Sequence, residues 1–511
     1  MTSRHSSTPS SSSSDSSRLP RGSACLNCKR RRVKCDGRRP ICGPCSRFRG
    51  HELDDCEFYE GQPPRSQVLQ EQIADLQHQV DQLQGVEDPA RVHLNSPYTP
   101  VQISIPAAPP SLGGSFIGED FKTLPAHKIQ GLLQNFGSFS SDVGFFLDPE
   151  RFMRAAMQPH NAGHASRPCA SLLYAVCLWG SKSLPNHIRR SFEETMLSSA
   201  LRFVTEDLAG SHPRRLLQVM QAEVLLSMFF LNNSQLVEGF YHANAAASLA
   251  VSTKSNLIRS ASVMQKPSGD AVDEGEWIDG FWTVVTLSNY WVLVNENQTF
   301  TFYDSPQMLI DTPWPLNNYY QEKLVPASHK TLEKFLGGTH DDGYSLLALH
   351  AKASVLLKKA IELSQKSDPG AVSQYNITNR ALEQMTLTLP RLDQQMAPQP
   401  RQRLAVTHML TQAAIIKLHR PRAGSSNTSR QRCVQAARVI ADISLRVPAA
   451  NPLQLINPIL GLVWYIAHDI LKTEIRHLEG QGSGEDKRLT DAVNQFLICM
   501  DVNSSNSPLI G

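Results

Sequence analysis

The sequence predicts a small cysteine-rich metal module with a short coiled coil behind it, followed by a large all-α domain. Three observations carry this expectation. Six of the ten cysteines fall between Cys25 and Cys56. Five apolar residues, Leu69, Ile73, Leu76, Val80 and Leu83, recur at alternating spacings of four and three. From about His127 onward, long segments repeat apolar residues at helical spacing, with few alternating strand patterns and no fixed-period repeat.

The 511 residues allow two to four domains, and a hydrophobic content of 41% suffices for a large core. The net charge of +3 averages two unlike parts. Residues 21–49 hold ten Lys/Arg against the single acid Asp36, a local charge of +9 that leaves −6 on the rest of the chain. A basic patch on an acidic body is the footprint of an anionic partner. Residues 1–23 are Ser-rich, lack the apolar core of a secretory signal, and are expected to be a disordered tail. The longest clean apolar run, "ILGLVWYIA", is too short to span a bilayer, so a soluble intracellular protein without a membrane partner is expected.

Residues 24–60 hold the cysteines in the pattern Cys25-x2-Cys28-x6-Cys35-x6-Cys42-x2-Cys45-x10-Cys56. Two Cys-x2-Cys pairs in an intracellular chain favour metal over disulfides, because that short reach puts two sulfurs on one tetrahedral ion. Six thiolates can serve one zinc with two to spare, or two zincs that share two sulfurs. A spare thiol pair beside so much positive charge would be open to oxidation, which favours two Zn2+. His51, inside the ten-residue gap before Cys56, is a competing ligand. Cys169, Cys177, Cys433 and Cys499 are scattered through apolar segments and read as buried thiols.

The stretches "ACLNCKRRRVKCDGRRPICGPCSRF" and "CEFY" resemble the fungal Zn2Cys6 binuclear cluster transcription factors over residues 24–59. The resemblance implies that Cys25 and Cys42 bridge the metals. Cys28 and Cys35 then complete one site, and Cys45 and Cys56 the other. It also implies a sharp turn at Pro40, with a cis bond. The final gap is at or beyond the long end of the family's range. The basic run is expected to start a short helix at Cys28 whose N-terminal turns enter the DNA major groove. The resemblance maps base reading to Arg32, with Arg31 beside it. Either guanidinium can donate bidentately to guanine O6 and N7. Lys29, Arg30, Lys34, Arg38 and Arg39 are expected at phosphates, where they give affinity and register. The same charges also fit a nuclear import signal.

Pro63-Pro64 makes residues 61–66 a stiff linker. Residues 67–84 form the coiled-coil dimerisation helix, with Ile73 and Val80 at a positions and leucines at d. Residues 85–126 carry seven prolines and form a second linker. In 127–511, Ile188, Phe192, Met196, Ala200 and Phe203 make one helical stripe. Further helices are expected in "RRLLQVMQAEVLLSMFFL", "EWIDGFWTVVTLSNYWVLV", "RLAVTHMLTQAAIIKLHR" and around 453–477, with polar loops near 259–275 and 295–345. Trp277, Phe281, Trp282 and Trp291 read as core, and His419 with Arg420 and Arg422 as a helix C-terminal cap. "EGEWIDGFWTVVTLSNYWVLV", "IDTPWPL" and "KLHRPRA" resemble the fungus-specific transcription factor (middle homology) domain.

No Gly-x-Ser-x-Gly, His-Glu-x-x-His, Gly-Lys-Ser/Thr phosphate loop or Gly-x-Gly-x-x-Gly is present, so no catalytic residue is assigned. The expected function is sequence-specific regulation of RNA polymerase II genes from the nucleus. The protein would act as a homodimer on double-stranded DNA with CGG-like half-sites, and meet the transcription machinery or co-regulators. Two rivals stand beside it: a metabolite-binding or enzymatic helical domain tethered to DNA by the zinc module, and a zinc-dependent interaction module that does not read DNA.

Overall fold

A computed structural model describes residues 23–47, Cys56, Phe58 and Ala74, and then 126–504 apart from 261–269, 298–300, 306–307, 321–329, 340, 367–369, 394, 447–456 and 482–486. Contacts divide the chain into two units, Met1–Ile105 and Pro106–Gly511. The seam residues Leu69, Ile73, Leu76, Val80 and Leu83 lie outside the described residues, as do both linkers nearly throughout.

In the first unit, α1 (Leu26–Arg30) and α2 (Gly43–Arg47) are single turns packed on each other. The second unit is strand-free among the described residues. Its helices are α3 (Ala126–Gly137), α4 (Pro149–Ala156), α5 (Ala170–Gly180), α6 (Asn186–Ala209), α7 (Arg215–Asn232), α8 (Leu236–Ser252) and α9 (Ala271–Val294). There follow α10 (Thr331–Leu336), α11 (Leu346–Ser364), α12 (Gly370–Thr388), α13 (Pro398–His419), α14 (Asn427–Arg446), α15 (Leu460–Gly480) and α16 (Lys487–Ser504).

Their starts follow from local chemistry. Asp148 caps α4 by accepting from Arg151 N at 2.8 Å, and Ser345 caps α11 by accepting from Ala348 N at 3.0 Å. Asp270 and Asp273 form a reciprocal capping box at α9, and α13 opens on Pro398. All eleven residues of α5 are buried, as is α7 from Leu217 to Asn232. Helices apolar on every side belong in the middle. Accordingly α5 is flanked by α3, α6 and α7, and α7 packs on α8. From there the stack runs on through α9, α11, α13, α14, α15 and α16, with α12 against α11 and α13. The α3–α5 crossing is close: a Cβ at Gly180 would sit 2.4 Å from the Leu132 carbonyl oxygen, which is backbone that cannot step aside.

The expected core aromatics are placed as core. Phe281, Trp282 and Trp291 are buried, and Trp277 is half-buried. Buried indoles find acceptors, with Trp179 Nε1 on Leu225 O at 2.9 Å and Trp291 Nε1 on Ser227 Oγ at 3.0 Å. The 188–203 stripe is largely kept: Phe192, Met196 and Ala200 are buried, but the last inward position passes to Val204. Phe203 is half-buried and stacks on Tyr174 at 5.3 Å. The 295–345 region is less polar than expected, because Tyr303, Ile310 and Trp314 enter the core. His419 is not a cationic cap. It turns inward to Tyr375 Oη at 2.9 Å and Asn379 Oδ1 at 3.0 Å, and burial lowers it to about 4. Cys169, Cys177 and Cys433 are buried, and burial pushes each thiol up to about 12.

One buried charge stands apart. Asp142 is 3% exposed and neither carboxylate oxygen has a hydrogen-bond donor. Burial pushes it up to about 7, against the pull of Arg403 from α13. The unfolded value is near 3.8. The native state therefore holds the extra proton between these limits, and stability is lost as pH rises through about 7. Asp142→Asn should thus stabilise the protein more at pH 8 than at pH 5, by about 2–3 kcal/mol, when denaturant midpoints are compared. An equal gain at both pH values would contradict the buried-charge account.

Candidate metal centre and nucleic-acid interface

The two short helices are built by the same device. Cys25 is the N-cap of α1, and its Sγ accepts from Cys28 N at 3.4 Å. In the second half the Cys45 backbone N–H donates to Cys42. In each half the Cys-x2-Cys spacing wraps one turn, so both sulfurs face one point. The third cysteine of each half returns from a loop: Gly37 N donates to Cys35 Sγ at 3.5 Å and Cys42 N to Cys56 Sγ at 3.2 Å.

The six sulfurs gather into two overlapping quartets, Cys25–Cys28–Cys35–Cys42 and Cys25–Cys42–Cys45–Cys56, with ligand atoms all within 4.8 Å of one another in each. Cys25 and Cys42 belong to both, with their sulfurs 3.7 Å apart. Cys28 to Cys42 is 3.5 Å and Cys25 to Cys45 is 3.7 Å. A tetrahedron with Zn–S near 2.3 Å has an edge of about 3.8 Å, so the donor set fits zinc. A disulfide would need about 2.05 Å, and all six are free thiols. Without a cation the crowded thiols are in conflict. Burial, then hydrogen bonds with neighbouring thiols, pushes Cys45 up to about 12 and Cys28 up as well. At Cys42 burial also opposes ionisation, but the Cys45 N–H and the neighbouring thiols bring it down to about 6. Shared cations let every sulfur ionise together.

The sequence placed the helix start and the basic run imperfectly. Helix α1 begins at Leu26, not Cys28, and ends at Arg30, so the basic residues leave its C-terminal end rather than its N-terminal turns. Lys29 and Arg30 occupy the last turn, where cations suit the exposed carbonyls. Arg31 is the C-cap and Arg32 follows with φ 52°, in the left-handed region. Arg32 N donates to Lys29 O at 3.2 Å and Val33 N to Cys28 O at 3.1 Å, the paired bonds of a Schellman motif. Glycine usually takes this position. An arginine there costs about 1–2 kcal/mol of backbone strain.

Lys29, Arg30, Arg32, Lys34, Arg38 and Arg39 are all exposed, while Arg31 is half-buried. The Arg39-Pro40 bond is cis. The Arg39 guanidinium lies 5.0 Å from the Phe58 ring centroid, so the residue two after Cys56 steadies a basic side chain. Sequence reading missed this contact; the aromatic in "CEFY" was its signal. Asp36, the one acid among these charges, accepts from Gly43 N with both oxygens at 3.0 Å and so caps α2. That bond holds its carboxyl below the usual range. Its charge is thereby directed at a helix start. His51 lies outside the described residues.

With that geometry in view, the comparisons with known proteins point the same way. Residues 23–66 match the Fungal Zn(2)-Cys(6) binuclear cluster domain. This is a family of transcription factors rather than enzymes, and the domain marks a DNA-binding regulator with its cysteines positioned for two zinc ions. No curated protein matches the chain. Among the described residues no helix is long and apolar enough to cross a membrane.

Proposed function

We propose that this protein is a nuclear, sequence-specific regulator of RNA polymerase II genes. In this reading Cys25 and Cys42 bridge two zinc ions, Cys28 and Cys35 complete one, and Cys45 and Cys56 the other. The observation that carries it is the placement of exposed cations around a two-metal cysteine core. The cluster fixes the short helix. Arg32, thrown outward by its left-handed backbone, reads a guanine of a CGG-like triplet. Arg31 stands beside it at the base edge, and Lys29, Arg30, Lys34, Arg38 and Arg39 grip phosphates. The helical body is a regulatory domain of the fungus-specific type, contacting co-regulators or the transcription machinery.

Reading and gripping separate by mutation. Arg32→Gly should keep both metals, since glycine suits the left-handed position, yet lose about 5–150-fold of discrimination at one guanine, the equivalent of 1–3 kcal/mol. Arg38→Ala should weaken specific and random DNA alike and reduce the salt slope by about one unit. Titration of each variant against a selected site and a scrambled one checks this. Equal weakening of both DNAs by Arg32→Gly would reassign the base reader.

Leu69, Ile73, Leu76, Val80 and Leu83 are proposed to pair two copies in parallel, which puts both zinc modules at one end of a two-half-site target. The seam is little more than two heptads and is marginal on its own, so dimerisation should accompany DNA binding. Leu76→Pro should abolish cooperative binding to a paired site and preserve weak binding to a single half-site. Gel-shift titrations decide it: unchanged affinity of Leu76→Pro for the paired site would exclude this seam as the joint. Small-molecule binding by the helical body is a second reading. A groove on α11 and α12 favours it.

A further inference from the structure

The groove opens between the α10–α11 connection and α12, with a volume of about 600 Å3, within the range of small-molecule sites. Its walls differ in chemistry. Phe335 and Leu336 of α10, Leu349 of α11 and Ile377 and Met385 of α12 supply apolar surface. Helix α12 also presents Arg380 and Gln384 on that face, between Ile377 and Met385 in the chain.

Deeper in the groove is Lys352, whose side chain is only 6% exposed. Its ammonium is built into place. It pairs with Asp341 and donates to Gly343 O at 2.7 Å. Three rings surround it, with centroids at 4.9 Å for Trp314, 5.4 Å for Phe335 and 5.6 Å for Tyr344. Gly343 is required here, since a Cβ would lie 2.5 Å from Trp314 and 2.8 Å from Lys352 Nζ. Asp341 and Gly343 take two of the three ammonium donors, and the rings enclose the rest of the charge.

The charge balance of the lining then selects a sign. Lys352 and Asp341 answer each other. Arg380 is exposed at the mouth and forms no ion pair among the described residues. A guanidinium fork of that kind suits a carboxylate or another planar oxyanion. We infer that this groove is a binding site for a small organic anion with an apolar body. The anionic head sits at Arg380, on the side of the groove that Lys352 lines, and the body lies on Phe335, Leu336, Leu349, Ile377 and Met385.

The site rests on the body's own side chains and does not depend on the DNA reading. The test uses the zinc-loaded full-length protein and three probes of equal chain length: octanoate, 1-octanol and octylammonium. Calorimetric titration should give octanoate at least tenfold tighter binding than either other probe. Arg380→Glu, an exposed change that leaves the fold alone, should reverse that order in favour of octylammonium. Ile377→Asp should weaken octanoate and octanol together. Equal affinity for the three probes, no binding of any, or octanoate binding indifferent to Arg380→Glu would each overturn the inference. DNA-site selection measured on the same preparations should be unchanged by Arg380→Glu. Failure of that selection in the parent protein would count against the transcription-factor reading alone.

Discussion

Cys25→Ala or Cys42→Ala should remove both zinc ions and unfold the module, whereas Cys35→Ala or Cys56→Ala should remove one. The difference follows from the two quartets, which have only Cys25 and Cys42 in common. Structural zinc contributes about 10–16 kcal/mol of apparent binding free energy per site, far above the stability of a module with so little apolar surface. Metal loss and unfolding are therefore one event. Native mass spectrometry of the full-length protein gives the stoichiometry, expected at two zinc ions for the parent and none for Cys25→Ala. If Cys25→Ala and Cys56→Ala kept the same metal content, the shared-sulfur arrangement would be wrong. His51→Ala should leave both ions in place.

Trp282→Ala should destabilise the helical body by about 3–5 kcal/mol. Trp282 is fully buried, stacks on Trp314 at 4.0 Å and donates Nε1–H to Pro313 O at 2.7 Å. Truncation empties the stack, leaves the Pro313 carbonyl without its donor and loosens the 308–316 segment from α9. Trp314 also lies over Lys352, so the damage reaches the groove. Guanidinium titration followed by tryptophan fluorescence reads the shift. A variant that kept the parent midpoint yet lost transcriptional regulation would turn Trp282 from a packing residue into part of a partner or ligand surface.

The metal centre was legible because its information is local. Ligand spacing, basic run and turn proline all lie within about thirty residues, and tetrahedral chemistry restricts what such spacing can do. The helix boundary was less legible. Cys25 belongs to both sulfur quartets and is also the N-cap, which moves the start of α1 two residues toward the N-terminus, and Arg32 falls outside the helix that was meant to carry it. In the body, helical periodicity located the core faces of α6 and α9. It could not locate groups assembled from remote segments. Asp142 meets the field of Arg403, and Lys352 meets Trp314, Phe335 and Tyr344, only after the helices have stacked. His419 followed the rule for a helix end until α12 and α14 covered it. Burial then made it a neutral hydrogen-bonding side chain.

The stacking order of the body carries a consequence for how it is made. From α5 to α16 nearly every principal contact joins a helix to the next in the chain or the next but one. Such a layout has low contact order, so each helix pair can close soon after leaving the ribosome, without waiting for the remainder. One class of contact must wait. Arg403 Nη2 on α13 donates to Ser141 O at 3.0 Å across 262 residues. Loop-closure entropy grows only as the logarithm of length, so the delay is set by synthesis rather than by search. Until α13 emerges, the α3–α4 region lacks its distal partner. A ribosome-bound chain ending before residue 398 should therefore be cut by protease near residues 137–144, between α3 and α4, and spared within helices α5 to α9.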